Sequence, residues 1–175
     1  MDINDRKVQT TNALLSPHLW TANGLLTQSG STTFWDRSTL YGFRGLFRSG
    51  ATDTTYPYFA YYSAKRLLGE HVPYAIEAWP EGDQRHLSAE SGLYCRAIVE
   101  GLWAFDPDGF REFSLCPKLP KEWKEMSLTN MHAFNTSLNI SVHRVGDKYR
   151  IRVQELGKPA KTVSWNGIKP LHFVL

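Results

Sequence analysis

The chain has 175 residues, of which 42% are hydrophobic and 21% are charged, so we expect one packed domain or two small ones rather than a disordered protein. Its net charge of +3 comes from scattered lysines and arginines, which argues against a nucleic acid partner. The apolar runs are too short to cross a membrane, and residues 1–12 lack the apolar region of a signal peptide. We therefore expect neither a nucleic acid nor a membrane as a partner.

Metal and disulfide chemistry are not predicted. The chain has two cysteines, Cys95 in a helical pattern and Cys116 in a strand pattern, and we expect two buried free thiols. His132, His143 and His172 fall in strand alternation without clustering, so we expect no metal site and no cofactor.

Residues 1–105 are predicted to be helices and loops. The segment TDTTYPYFAYYSAKRLLGE predicts a helix with Thr52 and Asp53 as cap candidates, Pro57 in the first turn and Gly69 as its end. SAESGLYCRAIVEGLWAF predicts a second helix. Ser88 is its expected N-cap and Glu90 an acid favoured by the helix dipole. A further helix is expected within 14–26 or within 39–47.

Residues 106–175 are predicted to form an antiparallel β-sandwich of about six short strands. DPDG, residues 106–109, predicts a turn at its start. Apolar residues then alternate with polar ones, and the pairs 146–147 and 166–167 predict hairpin turns between successive strands. The residues expected to face the core are Phe113, Leu115, Leu138, Ile140, Val142, Ile151 and Val153.

The predicted helices are too few to bury their own apolar faces. The second helix is apolar on several sides, which indicates burial against more than one neighbour. We therefore expect that this chain is a fragment, and that it needs upstream helices or self-association.

The order of these segments resembles a known family. The helix ending RLLGEHVPYAIEAWPEG, the helix SAESGLYCRAIVEGLWAFDPDGFREFSLCPKLPKEW and the strands that follow look like the C-terminal end of six-hairpin glycoside hydrolases. These (α/α) barrel enzymes include α-L-rhamnosidases. The resemblance implies an α+β fold, with C-terminal helices and active-site loops of an (α/α)6 barrel in 1–105 and a C-terminal β-sandwich in 106–175.

The resemblance also implies an activity. The complete protein is expected to cleave glycosidic bonds in plant or host polysaccharides with inversion, without a cofactor, and to be extracellular or periplasmic. In rhamnosidase-like members, a Trp-Glu-Arg-Trp element between the last two inner helices supplies the general base. IEAW stands at the matching place, with Ile76 and Ala78 in place of the first Trp and the Arg. The general acid is expected upstream, so the isolated chain is expected to be inactive.

The catalytic candidates are therefore Glu77 and, as the fallback, Glu81. Glu77 matches the family's general base, and the indole of Trp79 would lower the polarity around its carboxylate. The alternatives are a helix-flanking acid in a salt bridge for Glu77 and an ordinary turn at 80–82 for Glu81.

The carbohydrate-binding candidates lie in two segments. In FWDR, Trp35 can stack on a sugar face while Asp36 and Arg37 bind vicinal hydroxyls; the alternative is an Asp36–Arg37 pair on a loop. In the acidic segment 75–92, the candidates are Trp79, Arg85 and His86, and the alternative for His86 is a structural role.

Two other classes of function remain open. One is a non-catalytic carbohydrate-binding remnant, in which the acids only accept hydrogen bonds. The other is a polysaccharide lyase, for which Tyr74 and His86 are the plausible proton-abstracting pair.

Overall fold

The computed structural model describes residues 3–67, 78–79 and 88–175. In these ranges the chain has four α-helices and nine strands. It divides into two compact units, one ending at Leu102 and the other beginning at Trp103, three residues before the predicted boundary. The organisation is α+β, as predicted. In the described part of the chain, no helix is both long and apolar enough to span a bilayer.

Helix α2 (Asp36–Ser49) is the centre of the first unit. It covers the whole of 39–47, one of the two places where the further helix was predicted, and extends beyond it at both ends. Leu40, Phe43 and Phe47 recur at helical spacing and are all buried, which gives α2 an apolar face to pack against its neighbours. The helix ends at Gly50, whose φ of 91° is a left-handed conformation that glycine adopts without strain.

The other predicted place, 14–26, is not helical, and a helix precedes it instead. Helix α1 (Ile3–Leu14) was not predicted. Beyond it the chain forms turns and two isolated antiparallel bridges, Trp20 with Leu25 and Leu26 with Phe34. Pro17 and Gly24 interrupt the helical pattern there, because neither residue favours a helix interior.

Helix α3 (Thr52–Tyr62) confirms the first predicted helix and continues as a π-helical segment, Ser63–Leu67. The predicted caps are wrong, because Ala51 occupies the cap position and makes no side-chain cap bond. Pro57 consequently lies beyond the first turn, inside the helix, where it cannot donate to the Asp53 carbonyl. Gly69, the predicted end, lies outside the described residues.

Helix α4 (Ser88–Arg96) continues as the π-helical segment Ala97–Leu102 and confirms the second predicted helix. Ser88 is already helical rather than the N-cap. Cys95 is exposed, contrary to prediction. The buried side of this helix is marked by Glu90 and Ala97, which are two turns apart, and Cys95 lies off that side.

The second unit contains two antiparallel sheets. The first has the order β3–β4–β9, with β3 (Asp106–Gly109), β4 (Glu112–Leu115) and β9 (Leu171–Val174). The second has the order β5–β6–β7–β8, with β5 (Glu125–Ala133), β6 (Thr136–Val145), β7 (Lys148–Glu155) and β8 (Lys161–Trp165). All seven residues predicted to face the core are buried, which confirms the alternation. Cys116 follows β4 and is buried, as expected.

The turns of this unit were predicted less well than its strands. Residues 146–147 form the predicted hairpin turn, but residues 106–109 form β3, and the turn lies at Phe110–Arg111. Residues 166–167 do not join paired strands, because β8 pairs with β7 and β9 pairs with β4. The β5–β6 hairpin turns at Phe134 and Asn135, both with positive φ, where the sequence has no glycine to signal it.

Candidate functional site

A two-stranded ribbon joins the two segments predicted to bind carbohydrate. Strand β1 (Phe34–Trp35) pairs antiparallel with β2 (Ala78–Trp79), with Phe34 opposite Trp79 and Trp35 opposite Ala78. Phe34 is buried, whereas Trp35 remains 39% exposed. The fold therefore places an accessible indole beside the backbone of the IEAW segment.

Several predicted residues of the acidic segment lie outside the described residues. They are Glu77, Glu81, Arg85 and His86, together with Tyr74 of the lyase hypothesis. For Trp79, the structure describes the backbone pairing. In the sequence, Glu77 directly precedes Ala78, whose strand partner is Trp35.

Asp36 is the first residue of α2 and is fully buried. Its Oδ1 accepts hydrogen bonds from the Tyr62 hydroxyl at 2.8 Å and from Arg66 Nε at 3.4 Å. Its Oδ2 accepts from Arg66 Nη2 at 2.9 Å. Because both of its carboxylate oxygens accept hydrogen bonds, Asp36 links the start of α2 to α3 and to the π-helical segment that follows α3. It does not form a loop pair with Arg37.

The surroundings of Asp36 are apolar as well as charged. The Arg66 guanidinium is 1% exposed and lies 5.2 Å from the centre of the Phe34 ring. Burial, and next the Asp36 carboxylate, raise the pKa of the Tyr62 hydroxyl well above its usual range. Tyr62 therefore remains a hydrogen-bond donor to Asp36 in the folded protein even at alkaline pH.

Arg37 contacts the carboxylate of Glu90, which the sequence predicted only as an acid favoured by the helix dipole. Its Nε and Nη2 both lie 3.0 Å from Glu90 Oε1. Glu90 is fully buried on α4, yet its Oε2 has no hydrogen-bond partner in the described part of the structure. A buried carboxylate oxygen left unpaired is costly, and a ligand hydroxyl would satisfy it. Local sequence signals did not reveal this pair, because its members are 53 residues apart.

The second unit has a polar cluster that the sequence did not reveal. His172 Nδ1 lies 3.1 Å from Asp108 Oδ2, and its Nε2 lies 3.7 Å from Glu112 Oε2. Asp108 also accepts a hydrogen bond from Ser114, and this bond, followed by that with His172, lowers the pKa of Asp108. Register accounts for part of the cluster, because His172 of β9 is opposite Ser114 of β4, while Asp108 lies at the irregularity between Pro107 and Gly109 of β3.

The cluster does not form a metal site. Throughout the described ranges, no three His, Cys, Asp or Glu residues are grouped in a way that would hold a metal ion. His143 pairs with Glu125 at 2.7 Å, across neighbouring strands. The His143–Glu125 contact and the contacts of His172 are exposed on strand surfaces and are typical of pairs between strands.

The chain matches no family model, no curated protein and no solved structure.

Proposed function

We propose that this chain is the carbohydrate-binding, C-terminal part of a six-hairpin glycoside hydrolase of the α-L-rhamnosidase-like type. The β1–β2 pairing is the observation that supports this proposal most strongly. It joins FWDR, a sugar-binding candidate from its residue types, to the segment that the family resemblance selects for the general base. In this proposal the first unit contributes helices to an (α/α)6 barrel and the second unit is the accompanying β-sandwich.

The chemistry requires two carboxyl groups. One protonates the leaving oxygen and the other activates water in an inverting enzyme. We assign the second task to Glu77, with Glu81 as the fallback, and place the general acid outside this chain. Trp35 offers a platform for the apolar face of a sugar. Arg85, His86 and Trp79 are assigned to further sugar contacts.

The test is a comparison of Glu77→Gln with Glu81→Gln in the complete enzyme. Replacing the base should lower kcat by about 10²- to 10⁴-fold, while sugar binding survives because the amide keeps the shape of the carboxylate. Glu81→Gln should cost far less. A larger loss of kcat in Glu81→Gln would indicate that Glu81 is the general base. Unchanged turnover in both variants would contradict the assignment of this loop to catalysis.

A non-catalytic carbohydrate-binding role is the second candidate. It is favoured by the exposed indole of Trp35, which offers a sugar contact that requires no catalytic acid. In that case the complete protein binds sugar through Trp35 and shows no turnover that depends on Glu77 or Glu81.

A further inference from the structure

We propose that a cavity beside α3 is a second carbohydrate site, which binds one neutral sugar ring. The cavity has a volume of about 300 Å³ and lies between α3 and the turn at 20–25. This is the lower end of the range for small-molecule pockets and suits a monosaccharide unit. Its main lining side chains are Trp20, Asn23, Tyr58, Tyr61 and Tyr62.

One wall is a turn that its own hydrogen bonds hold in place. The Thr21 hydroxyl accepts from the backbone N–H groups of Asn23, at 3.1 Å, and Gly24, at 3.0 Å, and donates to the Gly24 carbonyl. The buried Thr39 hydroxyl of α2 accepts from the Leu25 N–H at 2.9 Å. A β-carbon at position 24 would lie 2.6 Å from Thr39 Oγ1, so glycine is required for this close approach. This wall of the cavity is therefore preorganised and does not need a ligand to form.

The aromatic walls are held by contacts with one another and with buried residues of α2. Trp20 packs edge-on against Tyr58 at 5.0 Å and against Phe43 of the core at 5.2 Å. Tyr62 is anchored through its hydroxyl to Asp36, while its ring lines the cavity. Tyr61 is 52% exposed at the rim, and Lys65 Nζ lies 5.9 Å from the centre of its ring.

Asn23 supplies the polar group. Its Oδ1 is buried without a hydrogen-bond partner among the described atoms. Rotation about χ2 has a broad, roughly two-fold profile, so the amide can turn either its acceptor or its donor toward the cavity. A ligand hydroxyl there would remove the cost of the unpaired oxygen.

These features together select the class of ligand. The described residues that line the cavity include no charged side chain, so a charged ligand would lose its hydration without compensation. A neutral pyranose has an apolar C–H face for the aromatic walls and hydroxyls for Asn23. The choice of a sugar rests on the proposed function, and the site itself is separate from Glu77.

The test is a titration of the full chain in a Trp35→Ala background, so that the Trp35 surface does not contribute. Saturation-transfer NMR would measure binding of L-rhamnose, D-glucose and D-galactose, with D-glucuronate as the charged probe. We expect at least one neutral sugar to saturate at roughly millimolar concentration and glucuronate to fail. Tyr61→Ala and Asn23→Ala should each weaken binding by about 2- to 10-fold, whereas Tyr61→Phe should retain it.

Tyr41→Ala is the matched control, because Tyr41 is a similarly exposed tyrosine on α2 and does not line the cavity. Far-ultraviolet circular dichroism would confirm that each variant is folded. The proposal is overturned if no neutral sugar saturates, or if Tyr61→Ala and Tyr41→Ala bind equally well. Loss of all binding in Trp35→Ala alone would reject the cavity and leave the proposed function standing. If the cavity still binds sugar but turnover does not depend on Glu77, the proposed function would be rejected and the cavity proposal would stand.

Discussion

At the residue scale, the first unit contains a fully buried ion pair between Asp36 and Arg66. Asp36 is fully buried and Arg66 is 1% exposed, and they are joined by hydrogen bonds from both Nε and Nη2. Breaking a buried pair is costly because the remaining charge has neither water nor a partner. The pair also fixes the orientation of Asp36, the residue that directly follows Trp35.

We therefore predict that Asp36→Ala destabilises the first unit by about 3–5 kcal/mol in a urea unfolding curve. The combined Asp36→Leu and Arg66→Met change should recover most of this loss, because it leaves no unpaired charge. Asp5→Ala is the control on an exposed first turn and should cost under about 1 kcal/mol. A loss in Asp36→Ala no larger than in this control would contradict the structural role.

Tyr62 gives a prediction for alkaline pH. Its pKa is raised in the folded state by burial and by Asp36, so the unfolded chain loses this proton first. The stabilising contribution is thus complete below the ordinary tyrosine pKa of about 10 and falls as pH rises above it.

The free energy of unfolding should fall above about pH 10 by up to about 1.4 kcal/mol per pH unit on account of this residue. When the free energy of unfolding is measured with urea at several pH values, it should fall less steeply with pH in Tyr62→Phe than in the wild type. The exposed Tyr61→Phe is the control and should keep the wild-type slope. Equal slopes in the wild type and Tyr62→Phe would contradict the assignment.

At the scale of elements, α2 and the π-helical segment Ala97–Leu102 approach each other closely at Gly101. A β-carbon there would lie 3.1 Å from Arg44 Cα and 3.2 Å from its carbonyl oxygen, and backbone atoms cannot move aside cheaply. A β-carbon at Gly45, on α2, would instead point into open space, with no packing neighbour within 4 Å.

Alanine at these two glycines should have opposite effects. Gly101→Ala should destabilise the first unit by about 1–3 kcal/mol through overpacking. Gly45→Ala should stabilise it by about 0.5–1 kcal/mol, because alanine favours a helix and meets nothing. Thermal or urea unfolding distinguishes the two. The same sign in both variants would show that the helices are not packed as described.

The strands were predicted from the sequence because their signal is local. Leu138, Ile140 and Val142 alternate within one strand, and burial on one face follows directly from that period. The ribbon and the charge pairs were not predictable in this way. Arg37 meets Glu90 and Asp36 meets Arg66 only after the helices have packed, and no local pattern reports a partner that far along the chain.

At the scale of the whole molecule, the first unit leaves large apolar side chains exposed. Among the described residues they include Val8, Trp35, Tyr41 and Tyr61. Exposed apolar groups favour association or partner binding where they form a contiguous patch. We expect the chain to associate with increasing concentration in sedimentation experiments and to bind a hydrophobic dye. A monodisperse monomer with a cooperative melt and no dye binding would contradict the expected need for partner helices.

If the segment beginning at Trp35 binds carbohydrate, as we propose, a fluorescence titration of the chain with rhamnose-containing oligosaccharides should detect the binding. We expect a saturable change in tryptophan fluorescence. We also expect that NMR-measured affinity falls about 2- to 10-fold in Trp35→Ala and is unchanged in Tyr41→Ala. Affinity that is the same in Trp35→Ala and the wild type, or no binding of any sugar tested, would contradict this proposal.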